Sequence, residues 1–185
     1  MLTKNQIEEN EKTIISLLRS TQREGIETVI NYLRKGNFFQ IPSSLNRHHN
    51  WRGGLAQHCL GVYQIAAKQA EGLPSDSVII AALLHDVCKI GLLAYNPVKR
   101  MLERRKPRHI PGHGRRSCKL LKTVCHLKLT EEERRAIRWH MGGHHAYGEE
   151  RKDVELAYQS KLWQIVHDAD HKDAARGKPL ARPCY

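Results

Sequence analysis

The sequence predicts an all-α protein. Apolar residues recur at helical spacing along most of the chain, and no segment shows the alternation that is typical of a half-buried strand. Residues 77–90 are apolar on nearly all sides, which indicates a central buried helix. With 185 residues, the chain is long enough for one domain with a substantial core and too short for two ordinary ones. We therefore expect one compact helical bundle.

Four helices are predicted in the N-terminal half, and they cover residues 7–20, 25–35, 54–71 and 77–90. The second ends near Gly36 and is followed by a loop through residues 42–50, which are rich in Pro, Ser, His and Asn. One face of the third carries Leu55, Cys59, Val62, Ala66 and Ala70. Residues 73–76 close that helix and cap the central one, which Gly91 ends.

Three helices are predicted in the C-terminal half, and they cover residues 115–125, 130–141 and 154–175. Residues 92–112 contain three prolines and a basic cluster, so they are expected to form a loop or a short broken helix. Thr130 and Glu133 have the spacing of a capping box, and the acidic run there suits a helix N-terminus rather than a catalytic cluster. The sequence thus divides into an N-terminal helical extension (1–40) packed on a main domain (41–176), with an irregular tail (177–185).

The chain is strongly basic. Thirty-one Lys and Arg against 19 Asp and Glu give a net charge of +12, which favours an anionic partner or substrate. A solvated basic surface and a dedicated nucleic-acid face both fit this charge. With two Phe and three Trp, aromatic platforms for stacking single-stranded bases are scarce.

The cysteines and the N-terminus indicate a reduced, cytoplasmic protein. The five cysteines are widely spaced and form no C-x-x-C pair, so neither a disulfide framework nor a cysteine zinc knuckle is expected. The first 20 residues carry several charges among the apolar positions, and no stretch approaches a membrane span. We expect no membrane association, and the sequence does not determine the oligomeric state.

His85 and Asp86 lie together inside the most apolar run of the chain. A buried carboxylate must be paired, hydrogen-bonded or bound to a cation, because leaving it bare costs several kcal/mol. His58 lies at the margin of a buried helical face, and His140 and Asp170 lie late in two other helices. Imidazole and carboxylate ligands together suit Mn, Fe, Zn, Ni or Co better than Mg or Ca.

Two segments resemble the HD-domain superfamily of metal-dependent phosphohydrolases. Residues 48–58 (HHNWRGGLAQH) are similar to the motif around the first metal ligand in the branch that includes the HD domains of 3′→5′ exoribonucleases. Residues 82–91 (ALLHDVCKIG) are similar to the family's ALLHDIGKIG segment and depart from it mainly at Cys88, where glycine is usual. The resemblance covers about residues 42–175 and implies an all-helical HD domain.

The resemblance implies a ligand set. In the family, the first His, the HD pair and a distal Asp hold one metal, and additional histidines complete a second site in binuclear members. On this sequence the implied ligands are His58, His85, Asp86, Asp170, His113 and His140. Asp168 is the alternative to Asp170, because helical geometry does not separate the two. Whether the site holds one divalent transition metal or two stays open.

Two cations are expected to contact the substrate. The resemblance implies that Lys89 contacts the scissile phosphate, and Arg52, just before the helix that carries His58, could bind phosphate in a bidentate way. We therefore expect Asp86 and Lys89 to be the catalytic residues, with Lys89 and Arg52 binding phosphate.

Structural interpretations compete with these roles. Lys89 could be a surface lysine, Asp86 could be satisfied by Lys89 or the backbone, and His113 could merely cap the following helix. The remaining histidines of the motif loops fit solvated positions or hydrogen-bond donors to a ligand better than the ligand role itself: His48, His49, His144 and His145.

The expected activity is hydrolysis of a phosphomonoester or phosphodiester, most simply of a nucleotide, by a metal-activated water. The alternative is a metal-containing HD scaffold that binds nucleic acid or a signalling nucleotide without turnover. A third possibility is a structural metal site whose ligands are coordinatively closed. The basic loop within residues 92–111 is expected to border the cleft and to select the substrate.

Overall fold

The computed structural model describes residues 2–96, 101–104, 112–144 and 146–178, with residues 93–96 and 101–104 described by their backbone. These residues form eight α-helices, one 3₁₀ turn and one hairpin. In chain order the elements are α1 (Lys4–Ser20), α2 (Ile26–Lys35), α3 (Gly54–Ala67), α4 (Ser75–Leu84), the 3₁₀ turn (Val87–Lys89), β1 (Leu93–Asn96), β2 (Met101–Arg104), α5 (His113–Thr123), α6 (Glu131–Trp139), α7 (Glu150–Tyr158) and α8 (Lys161–Arg176).

The core is built around α4, as the sequence predicts. Every residue of this helix from Ser77 to Leu84 is buried, because the helix is surrounded by α1, α3, α6 and α8. Leu18 of α1 and Leu33 of α2 are fully buried in the same apolar cluster as Leu55 and Ile80. The all-α fold class is confirmed, and the N-terminal helices share the core of the main domain.

The central helix is shorter than predicted. It ends at Leu84, and the chain tightens into the 3₁₀ turn instead of remaining helical to residue 90. Asp86 lies between the two elements with φ −107° and ψ 14°, outside helical geometry. The apolar run continues through this turn because the turn is also buried, so the sequence pattern could not show where the helix ends.

The prediction of one last helix over residues 154–175 is wrong. Ser160 has an extended backbone, and its hydroxyl caps Trp163 N, so that α7 ends at Tyr158 and α8 begins at Lys161. Apolar residues on both sides of the break face the interior, which conceals it in the sequence. The other helix boundaries agree within a few residues, and the capping box of Thr130 and Glu133 is confirmed.

The predicted loop over residues 92–112 contains a two-stranded antiparallel hairpin, in which Leu93 pairs with Arg104 and Asn96 with Met101. The alternation signal is weak over two four-residue strands, so the sequence did not reveal them. The prolines and most of the basic cluster of this segment, and the tail from residue 179 onward, lie outside the described residues.

The structure describes four of the five cysteines, and these four are free thiols. None of the helices in the described ranges is long and apolar enough to cross a bilayer.

Candidate metal centre

Four helices bring five predicted residues into one buried cluster. His58 projects from α3, His85 and Asp86 follow α4, His140 follows α6, and Asp170 lies on α8. His58 Nε2 lies 3.1 Å from Asp170 Oδ1, and His85 Nε2 lies 3.5 Å from Asp86 Oδ2. His140 Nε2 lies 3.8 Å from Asp86 Oδ1, the other carboxylate oxygen. Residues that are far apart in the sequence therefore converge on one carboxylate.

The backbone fixes which nitrogen of two histidines faces the cluster. His85 Nδ1 lies 2.8 Å from Ala82 O, and His140 Nδ1 lies 2.7 Å from Ile137 O. A carbonyl oxygen only accepts hydrogen bonds, so each Nδ1 carries a proton, and in the neutral ring each Nε2 presents a lone pair. His85 Nε2 is buried without a hydrogen-bond partner. A buried lone pair of this kind is what a metal ion requires of imidazole.

His58 is oriented by a carboxylate that the sequence analysis missed. His58 Nδ1 donates a hydrogen bond of 2.7 Å to Asp173 Oδ2, which directs the buried Nε2 towards Asp170 and Asp86. Carboxylate–histidine pairs of this type fix the tautomer of a metal-binding imidazole. The signal was present in the sequence, since Asp173 follows Asp170 by three residues and so shares its helical face.

The loop before α3 contributes two further histidines. His49 is 4% exposed, and its Nε2 lies 3.5 Å from Asp173 Oδ2. The His48 ring lies 4.6 Å from the His58 ring, centroid to centroid. The interpretation of His49 as a solvated residue is therefore wrong. His49 instead contacts Asp173, the carboxylate that orients His58. His144 is exposed, and His145 lies outside the described residues.

The charges of the cluster are strongly coupled. Burial alone would raise the pKa of Asp86, but the Lys89 ammonium and His85 outweigh it and hold the pKa well below its usual range. The pKa of Asp170 is likewise lowered against the effect of burial, chiefly by its hydrogen bond with His58. Both carboxylates are thus ionised, as ligands must be.

The histidines differ in basicity. Burial lowers the pKa of His140 to about 4, so its ring is neutral at pH 7. Burial also opposes protonation of His58, but the carboxylates of Asp170 and Asp173 outweigh it and raise the pKa. A proton on His58 therefore competes with a metal ion for the same nitrogen.

Asp170 and Asp168 differ in their exposure to solvent. Asp170 is 7% exposed and faces the cluster, whereas Asp168 is exposed on the other side of α8. Of the two alternatives that the sequence left open, the structure brings Asp170 to the cluster.

The two predicted phosphate-binding cations differ in position. Lys89 is largely buried, and its Nζ lies 2.5 Å from Asp86 Oδ2 and 2.9 Å from Ser43 Oγ. The surface-lysine interpretation is therefore wrong. Arg52 is exposed, and its Nε donates to Gln40 Oε1 at 2.9 Å, a contact on the surface of the protein rather than with the histidines.

His113 is the first residue of α5 and borders the cluster from another side. Its Nδ1 lies 3.8 Å from Cys88 Sγ, and these two residues and Asp86 each present a ligand atom within 4.8 Å of the others. Ligand atoms also lie within 4.8 Å of one another in two further groups, which are His58 with His85 and Asp170, and His85 with Asp86 and His140. The donor set is nitrogen and oxygen with one sulfur, which fits a transition metal.

Comparisons with known proteins identify a family and two relatives. The sequence profile of the HD domain matches residues 55–175. The chain is 40% identical over 58 residues to a dihydroneopterin 2′,3′-cyclic phosphate phosphodiesterase from Methanocaldococcus jannaschii, with 27% of this chain and 23% of that protein covered. It is 27% identical over 172 residues to a 3′-5′ exoribonuclease YhaM from a Geobacillus species, with 87% of this chain and 50% of that protein covered.

The chain thus spans at most half the length of these relatives, and no solved structure matches it. The profile covers well over half of the chain, including His58, the His85–Asp86 pair and Asp170. The chain belongs to the HD-domain family.

Proposed function

We propose that this protein is a metal-dependent phosphohydrolase that cleaves a phosphomonoester or phosphodiester of a nucleotide. The observation that carries the proposal is a pair of buried Nε2 atoms beside two ionised carboxylates: that of His85, which has no hydrogen-bond partner, and that of His58, which lies 3.1 Å from Asp170 Oδ1. A divalent ion satisfies both features at once, because it accepts the lone pairs and balances the charge. The two relatives are named for cleaving a cyclic phosphate and RNA, both of them phosphodiesters.

We assign one ion to His58, His85, Asp86 and Asp170, and a second to the side of Asp86 that faces His140 and His113. Manganese, iron, nickel, cobalt and zinc all fit these donors. Such an ion, when bound, lowers the pKa of water and neutralises charge on a phosphoryl oxygen.

The side chains of the chain itself supply the positioning. The carboxylate of Asp86 can orient an attacking water, because its two oxygens face different histidines. Lys89 reaches this carboxylate from the side of Ser43, so its ammonium can stabilise the negative charge that develops on the phosphate. Arg52 remains a proposed phosphate contact at the surface.

The test is a hydrolysis screen on the full chain, with Mn, Co, Ni, Fe or Zn and a panel of nucleotides, 2′,3′-cyclic phosphates and short RNA. Metal content is measured in parallel. Wild type is expected to turn over at least one substrate, and Asp86→Ala is expected to lose both activity and metal. Asp168→Ala is the matched control, because it removes an exposed carboxylate from the opposite side of α8. Full activity in Asp86→Ala would refute the proposal.

A second candidate function is nucleic-acid binding without turnover, and one feature of the surface favours it. A groove of about 820 Å³ follows α5 and α6, and six Lys or Arg line it against two Glu. Its lining includes Arg115, Lys119 and Lys122 from α5, the helix that begins at His113. A phosphate backbone fits this excess of positive charge.

Binding of a single-stranded RNA oligomer in EDTA, measured across salt concentrations, tests this candidate. Lys119→Ala/Lys122→Ala should lower the salt slope by roughly 1.4, since two phosphate contacts to a single strand are lost. Lys4→Ala/Lys12→Ala is the control, because both lysines are exposed on α1. An equal effect of the two double variants would show that only overall charge matters.

A further inference from the structure

Cys88 is held rigidly beside the candidate metal centre. It is 1% exposed and lies in the 3₁₀ turn after α4. Its backbone N donates to Ser117 Oγ at 3.2 Å, and that hydroxyl donates to His85 O at 2.6 Å. The turn that places Asp86 is thereby tied to α5, and the thiol is fixed between Asp86 and the first residue of α5.

The positions of the three donors match those of ligands on one ion. Zinc binds sulfur at about 2.3 Å and imidazole nitrogen at about 2.0–2.1 Å, so tetrahedral angles place the two donors roughly 3.6 Å apart. Cys88 Sγ and His113 Nδ1 are 3.8 Å apart. A ligand atom of Asp86 lies within 4.8 Å of each of them.

We propose that Cys88 is a thiolate ligand of the second ion, together with His113 and the Asp86 carboxylate. On binding, the sulfur–metal bond forms and the thiol proton passes to solvent, so no oxidant is needed. A soft sulfur donor selects zinc, cobalt or iron(II) over manganese and magnesium. The inference rests on the proposed metal centre and adds to it the identity of the metals at its second position.

Another arrangement fits the same distance. A thiol that donates a hydrogen bond to His113 Nδ1 would also lie 3.8 Å from it, and it would bind no ion. The two arrangements differ in one observable, which is a sulfur–metal bond in the loaded protein.

Titration of the metal-free full chain with Co²⁺ provides the test. A thiolate ligand gives a near-ultraviolet sulfur-to-cobalt charge-transfer band, and neither imidazole nor carboxylate does. Wild type should show this band, and Cys88→Ser should lose it while still binding cobalt at the His58 site. Cys118→Ser is the matched control, because Cys118 is a partly buried thiol on α5 that contacts Arg134 O.

Zinc and manganese binding gives an independent readout. Wild type and Cys118→Ser should retain zinc at the second position in excess manganese, and Cys88→Ser should lose that preference. Circular dichroism of Cys88→Ser checks that the variant is folded. Cobalt binding without the band in wild type, or an unchanged band in Cys88→Ser, would overturn the inference while leaving the phosphohydrolase proposal intact. A charge-transfer band in a protein that cleaves no phosphoester would support Cys88 as a metal ligand and refute the phosphohydrolase proposal.

Discussion

His58 shows how one residue of the cluster depends on others that never touch the ion. Its Nε2 can serve as a ligand only while its Nδ1 is held, and Asp173 holds it at 2.7 Å. Asp173 in turn contacts His49, whose loop is tied to the end of α8 by the hydrogen bond from His49 N to Gly177 O. The geometry of one imidazole therefore depends on both ends of the domain.

Asp173→Asn tests this dependence. The substitution removes the negative charge behind His58 and weakens the acceptor that fixes its tautomer, so metal affinity should fall roughly 10–100-fold. Metal affinity is measured by isothermal titration of the metal-free protein. Asp168→Asn, a change of the same kind at an exposed position of α8, should leave the affinity unchanged. Equal affinities for Asp173→Asn and wild type would remove Asp173 from the site.

At the scale of elements, the approach of α8 to α3 is set by a glycine. A Cβ on Gly61 would lie 2.1 Å from Asp173 Oδ1, so only glycine lets the carboxylate reach His58. Helix propensity and packing therefore predict opposite effects of Gly61→Ala on the free energy of unfolding.

For Gly61→Ala, propensity alone predicts a gain of roughly 0.5–1 kcal/mol in the free energy of unfolding. The close approach predicts instead that Asp173 is displaced, with a loss of stability and of metal affinity. We expect the loss, measured by urea unfolding and by metal titration. A stabilised variant with unchanged metal affinity would contradict this account of the α3–α8 contact.

A second contact between elements has a predictable pH dependence. Asp153 of α7 accepts hydrogen bonds from Arg134, Arg135 and Trp139 of α6. Burial opposes ionisation, but these partners outweigh it and lower the pKa of Asp153 below its usual value of 3.8. A lowered pKa contributes stability that is present above pH 3.8 and is lost as the pH falls below it.

Asp153→Asn should therefore destabilise the protein by about 1–3 kcal/mol at pH 7, with a smaller difference from wild type at pH 3. Urea unfolding at the two pH values measures this difference. Glu155→Gln, at an exposed position of the same helix, should have little effect at either pH. A difference that does not change with pH would mean that packing, not charge, makes the contact.

At the scale of the whole molecule, one buried ion pair joins the N-terminal helices to the main domain. Glu133 is fully buried, and both of its oxygens accept hydrogen bonds of 3.0 Å from Arg23, in the turn before α2. Ser77 of α4 donates to it at 2.8 Å, and the backbone N of Thr130 donates at 2.9 Å. The pair thus connects the beginnings of three helices.

Glu133→Ala should cost about 3–5 kcal/mol of unfolding free energy, because it leaves the Arg23 guanidinium without its partner in a largely buried position. Glu27→Ala removes one partner of an exposed pair with Arg19 and should change the stability far less, because solvent screens that pair. Chemical unfolding of both variants measures the contrast. Similar costs would show that Glu133 acts only as a helix cap.

The division of the chain at residue 40 stays a prediction, and the shared core indicates that the two parts unfold together.

The sequence by itself determined the helical class and the central buried helix, and its motifs predicted the ligand residues His58, His85, Asp86, His113, His140 and Asp170. It could do so because helical periodicity and short motifs are local properties of a chain. It did not separate Asp168 from Asp170, place Asp173 behind His58, or show that Lys89 is largely buried. Only the tertiary structure decided these points, because each depends on how α3, α4 and α8 approach one another. Burial and distance between residues more than 80 positions apart follow from packing, and no local pattern records them.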